Sequence, residues 1–154
     1  MFGSLTIDQL LDSANDLIEM MARVIPGFPQ DRKGGYICIM DRTDGTLISL
    51  TRVGSFLKDN WLVYSALAQE KAQRVLSTSG RISSWEDRDE SKMRYGGAIR
   101  ASQFTLSFSG LTEHADELLV LFLAKSAGLV NHEDCCAIAK ISNNRLYLDS
   151  LLVG

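Results

Sequence analysis

With 154 residues, 45% of them hydrophobic and 23% charged, the chain has the composition of an ordinary globular domain. A domain of this size buries roughly 70% of its unfolded surface, so it needs no staples to form a core. Sixteen basic against nineteen acidic residues leave a net charge of −3, which excludes an overall basic field for nucleic acid or an anionic membrane.

The start, Met1-Phe2-Gly3-Ser4, lacks the charged and apolar regions of a signal peptide. The longest apolar run, Leu118 to Ala124, covers about a third of the ~20 residues that span a bilayer. Cys38 stands in an apolar run and Cys135 and Cys136 are neighbours, a pattern that makes no disulfide framework and suits a reducing compartment. A single domain over 1–154 in the cytoplasm is the expectation.

Ile7, Leu10, Leu11, Ala14, Leu17, Ile18, Met21 and Ile25 recur at helical spacing, so a first helix carries one apolar face. Thr6 and Gln9 form a capping box at its start, and Pro26-Gly27 ends it. A polar turn from Gln30 to Gly35 precedes Tyr36-Ile37-Cys38-Ile39-Met40, a run that predicts a strand covered on both faces. Asp44-Gly45 is a hairpin turn, and Thr46 to Arg52 is the return strand. A second helix is expected from about Phe56 to Leu76, with Trp61, Ala68, Ala72 and Val75 along one stripe. Its two alanines permit close approach to a sheet.

Residues 81–95 are the most polar stretch and read as a solvated loop or short surface helix. Gly96-Gly97 then opens a second hairpin, Ala98 to Ala101 and Phe104 to Ser109. Phe104, Leu106 and Phe108 alternate with Thr105, Ser107 and Ser109, the pattern of a half-buried strand. Gly110-Leu111-Thr112 leads to a third helix whose buried stripe is Ala115, Leu118, Leu119, Phe122 and Leu123. Glu113 and Asp116 lie near its positive end, and Gly128 suits its C′ position. Asn131 caps a short helix through Ile141, Asn143-Asn144 turns the chain, and Arg145 to Val153 reads as a last strand or a helical tail. The expected fold is α+β: an antiparallel sheet built from two hairpins with three main helices packed on it.

Chemistry is sparse. His132-Glu133-Asp134-Cys135-Cys136 has no CxxC spacing or second cysteine pair for a structural zinc. Phe108-Ser109-Gly110 lacks the first glycine of a nucleophile elbow, Ser107 standing there. A Ser109, His114, Asp116 triad draws all its members from one short segment, whereas triads converge from separate elements. Gly96-Gly97 and the Ser109-Gly110 corner are open to two readings. They form either a cradle where backbone and a helix N-terminus meet an anion, or a tight strand-to-helix corner.

Asp41, Gly45, Arg52, Lys71-Ala72, Gly96-Gly97, Ser109-Gly110 and Asp116 fall in the order and layout of the GlcG/HbpS-like family, which the chain resembles over about residues 10–130. The chain departs from the family where Ala98-Ile99-Arg100 follows the glycine pair, and 129–154 forms a divergent C-terminal extension. The resemblance implies a homo-oligomeric small-ligand-binding module, haem or another tetrapyrrole being its ligand class. Gly96, Gly97, Ser109 and Gly110 would border the pocket, and Arg52, Lys71 or Arg100 would pair an acidic group of the ligand. His114, or else Tyr95, would be the axial ligand to a haem iron. The alternative is a non-catalytic interaction domain anchored by Trp61, Trp85 and Leu146-Tyr147-Leu148, and a third is an enzyme acting through Ser109 or His114.

Overall fold

The capping box at Thr6 forms as its residue types dictate. The Thr6 hydroxyl accepts from Gln9 N and the Gln9 side chain accepts from Thr6 N, opening helix α1 (Ile7–Val24). The computed structural model describes residues 6–55 and 60–150, so the start at Met1–Ser4, the expected helix onset at Phe56 and the last residues of the tail lie outside it. α1 buries Leu10, Ala14, Ile18 and Met21, and each large apolar side chain taken from water contributes about 2 kcal/mol.

Both hairpins are present. Strands β1 (Lys33–Asp41) and β2 (Leu47–Ser55) pair antiparallel, as do β3 (Ala98–Ala101) and β4 (Phe104–Ser109). β1 also pairs β4, with Tyr36 opposite Ser109, giving one four-stranded sheet in the order β2-β1-β4-β3. Helix α2 (Trp61–Ser77) covers one face, where Ala68 and Ala72 meet Cys38 and Met40. α1 and α3 (Glu113–Ser126) cover the other, over Ile37, Ile39, Ile99, Leu106 and Phe108. The result is a three-layer α/β/α arrangement with helices on both sides of an antiparallel sheet.

That layering corrects one expectation. β4 is buried at all of its residues rather than half-buried, because β1 and β3 flank it and α2 lies over the face carrying Thr105, Ser107 and Ser109. Alternation of apolar and hydroxyl residues marks here two different buried faces, one greasy and one built of small polar side chains.

The C-terminal part is helical. After α3, Gly128 takes φ +75° and a Schellman arrangement closes, with Gly128 N donating to Lys125 O and Leu129 N to Ala124 O. Asn131 and Asp134 cap α4 (His132–Ser142), and Asn143 in the left-handed region turns the chain into the single turn α5 (Arg145–Leu148). Cys135, Ile138 and Tyr147 join the α1/α3 core, so residues 132–148 belong to the same apolar cluster as the rest.

Candidate functional site

α2 brings Lys71 against the start of α3 with only 1% of its surface exposed. Its ammonium donates to Gly96 O (3.0 Å), Phe108 O (2.5 Å) and Asp116 Oδ2 (3.2 Å). An ammonium has three N–H donors, so all are occupied. Asp116 Oδ1 accepts from Leu111 N at 2.9 Å, which fixes the corner leading into α3. Gly97, at φ +119°, makes room for this pair: a Cβ there would stand 2.7 Å from Lys71 Nζ and 2.8 Å from Asp116 Cβ. Gly96 does the same for an indole, since a Cβ on it would overlap the Trp85 ring. The glycine pair thus admits the protein's own side chains, as in the second reading of that corner.

Lys71 and Asp116 lie in the wall of a cleft of about 420 Å³, also lined by Arg32, Tyr64, Leu67, Tyr95 and Ser109. Arg32 donates through Nε to Gly110 O (3.1 Å) and through Nη2 to Leu111 O (3.0 Å), and its guanidinium carbon stands 5.9 Å from the Tyr64 ring centre. Among the described residues no carboxylate pairs with it within 4.0 Å. The other charges on the cleft are matched. Glu113 accepts from Arg88 Nε (2.7 Å) and Nη2 (2.8 Å) and from Gly96 N (2.9 Å). Burial pushes the Glu113 carboxyl up, but these donors outweigh it and hold the group below the usual range. The cleft therefore carries Arg32, which has no ion pair with a described residue though its field reaches Asp116, beside a Ser109 hydroxyl with no hydrogen bond to a described residue.

Sequence reasoning passed over Arg32 inside a polar turn. Its position follows from the β1–β4 register alone, which sets Gly34 and Gly35 against Gly110 so tightly that a Cβ on Gly110 would collide with Gly34 O. The charge-rich stretch before the glycine pair is likewise attached, not simply solvated. Arg74, buried on α2, donates to Ser84 O (2.7 Å), Asp87 Oδ1 (2.5 Å) and Tyr95 O (2.6 Å), while Ser83 bridges to Ile99. Two 3-10 turns, Ser84–Asp87 and Glu90–Lys92, result, and only Glu90 to Arg94 forms a continuous exposed run.

The residues singled out in the sequence divide between locations. Lys71, Gly96, Gly97, Ser109 and Gly110 converge at the cleft. Arg52 shares a cross-strand row with Tyr36 and Ser109, two strands from the latter, or roughly 10 Å at the usual strand spacing. Arg100 lines a different groove with Ile82, Leu129 and Asp134. His114 stacks on Trp85 at 4.8 Å with a 7° interplanar angle, and its Nε2 donates to Ser142 O at 3.0 Å. It lines a third groove beside Pro26 and Phe28 and does not fit an axial role in the Lys71 cleft, whereas Tyr95 lines that cleft. The Ser109, His114, Asp116 triad does not assemble, since His114 is bound to Ser142 and Asp116 to Lys71 and Leu111. Of the interaction anchors, Tyr147 is fully buried, Leu146 and Leu148 are half-buried against the core and Trp85 is stacked inward, leaving Trp61 at 44% exposure.

A second buried carboxylate escaped the sequence reading. Glu117 is fully buried and accepts from Ser142 Oγ (2.5 Å), Asn144 Nδ2 (2.8 Å) and Ser83 Oγ (3.3 Å), tying α3 to the α4–α5 turn. Burial raises its affinity for a proton, and burial likewise pushes Asp116 up to about 7 against the pull of Lys71. A carboxyl that holds its proton more tightly folded than unfolded favours the fold at acidic pH, and that stability is lost as pH rises from the unfolded value toward the folded one. The melting temperature is therefore expected to be higher near pH 5 than near pH 8, by calorimetry in matched ionic strength. Glu117→Gln should narrow the difference, and a flat profile in the wild type would contradict the assignment.

Among the described residues no group of three or more His, Cys, Asp or Glu side chains is arranged to hold a metal ion, and no helix is long and apolar enough to cross a membrane. No protein-family model, curated protein or solved structure matches the chain.

Proposed function

We propose that this chain is a small-ligand-binding domain, a remote relative of the GlcG/HbpS-like proteins, whose site is the cleft walled by α2, the Ser109–Thr112 corner and Tyr95. Its ligand is a small molecule bearing a carboxylate or phosphate. The observation that carries this reading is Arg32, which forms no ion pair within 4.0 Å with a described residue, next to a Ser109 hydroxyl with no hydrogen bond to a described residue and the N-terminus of α3. A guanidinium with free N–H groups in a partly apolar slot is the usual counter-ion for a planar anionic group. Tyr64, Leu67 and Val63 supply the apolar walls that hold the remainder of such a ligand.

A tetrapyrrole would rest on Tyr95 as its only ligand among the two expected residues, since His114 is committed elsewhere. A second reading has one observation in its favour. Trp61, Leu62, Val63 and Met93 are 44–63% exposed, and Val63 and Met93 border the cleft mouth, an apolar rim that suits a second copy of the chain.

One experiment addresses these readings together. Native mass spectrometry and the visible spectrum of freshly purified protein should show a small-molecule adduct, and a thermal-shift screen of small carboxylates and phosphate esters should find stabilising compounds. Arg32→Ala should abolish that stabilisation, which at a hundredfold excess over Kd amounts to about 2.7 kcal/mol. A Soret band on haem titration would return the tetrapyrrole to first place. A bare dimer with no stabilising compound would assign the rim to self-association and end the ligand reading.

A further inference from the structure

The His132–Cys136 segment, set aside as a metal site, assembles into something else on α4. Cys136 Sγ lies 3.4 Å from His132 Nε2, one helical turn away, and 4.0 Å from Nδ1. His132 Nδ1 is in turn 3.0 Å from the Tyr147 hydroxyl, which α5 carries into the core at zero exposure. We propose that Cys136 is a modification site, a thiol that adds to small α,β-unsaturated carbonyl compounds with His132 as its base and Tyr147 as the group that orients that base.

His132 links the surface thiol to the buried Tyr147 hydroxyl. Cys135 Sγ faces Leu121 O at 4.0 Å, away from the solvent-facing side of α4. Burial pushes the Tyr147 hydroxyl up, so it stays protonated. In the tautomer that serves as base, the Tyr147 oxygen accepts from His132 Nδ1–H and the imidazole lone pair is at Nε2, the nitrogen nearer Cys136. This is the nucleophile, base and orienting group that covalent chemistry requires.

Access separates the three cysteines. Cys38 and Cys135 have no exposed surface, whereas Cys136 is partly exposed and His132 is exposed on the same face of α4. An open helix face offers no leaving-group pocket, which favours an addition over a displacement. As Sγ bonds to the β-carbon, the π pair of the alkene moves to form the enolate and the thiol proton passes to Nε2. The imidazolium then returns the proton to the α-carbon; nothing leaves, and no oxidant is needed. The charges at helical spacing from Cys136 on α4 are Glu133 and Lys140, one of each sign, so the base sets the reactivity more than the local charge.

The test uses N-ethylmaleimide on the whole protein, with intact mass and peptide mapping to locate the adduct. Cys136 is expected to be labelled first, at pH 7 at least tenfold faster than N-acetylcysteine and than the His132→Gln variant. The wild-type and His132→Gln rates should converge near pH 10, where a base no longer helps an ordinary thiol, and Tyr147→Phe should fall between them at pH 7. First labelling at Cys38 or Cys135, or wild-type and His132→Gln rates that agree at pH 7, would overturn the proposal. Should the variant not fold, the wild-type profile from pH 6 to 10 decides alone, and a rate that tracks N-acetylcysteine throughout overturns it.

Discussion

Lys71→Met is expected to destabilise the fold by about 3–5 kcal/mol, because it leaves the Asp116 carboxyl buried without its cation. For a chain of this size that corresponds to a fall of about 10 °C in melting temperature. The loss has three parts on the page: Gly96 O and Phe108 O lose their donor, and Asp116 loses its ion pair. Adding Asp116→Asn should recover a large share, since asparagine still accepts from Leu111 N and carries no charge to strand. Chemical denaturation of the single and double variants measures both. A single-variant loss below about 1 kcal/mol would mean that the pair contributes nothing net, as some buried pairs do.

The second large effect is expected at Gly35. Its backbone adopts an ordinary strand conformation, so the demand for glycine comes from space alone. A Cβ there would lie well inside contact distance of the Ser109 carbonyl and within 2.8 Å of Gly110 Cα, and neither is a side chain that can turn away. Gly35→Ala must push β1 and β4 apart where they frame the cleft, at a cost on the order of 3 kcal/mol. Ligand affinity should fall with stability, because Arg32 is hung from Gly110 and Leu111 on the far side of the same contact. An alanine variant that melts with the wild type would refute this packing.

The elements with local causes were legible in the sequence. Thr6 and Gln9 announce α1, Asp44-Gly45 and the alternation of 104–109 announce the hairpins, and Asn131 with Asp134 announces α4. What stayed hidden depends on partners distant in the chain. Thr105, Ser107 and Ser109 look solvent-facing until α2 is seen to cover them. Asp87 looks like one more surface acid until Arg74, thirteen positions earlier, reaches it. The cleft was half visible: Gly96, Gly97, Ser109 and Gly110 are marked by their residue types, but Arg32 is placed by strand register and His114 is drawn off by Ser142 and Trp85. Lys71 was noticed as a free cation, and only the fold reveals that its three donors are taken.

The two faces of the sheet are fastened by different forces. Toward α1 and α3 the sheet presents isoleucine, leucine and phenylalanine, a contact that strengthens with the area removed from water. Toward Ala68 and Ala72 of α2 it presents a cysteine, a methionine and hydroxyls, of which Thr105 Oγ1 and Ser107 Oγ find no partner among the described residues. The second helix is held instead by the polar bonds of Lys71 and Arg74. The helix that walls the cleft is thus attached through a few directed bonds, whose geometry fixes where that wall stands.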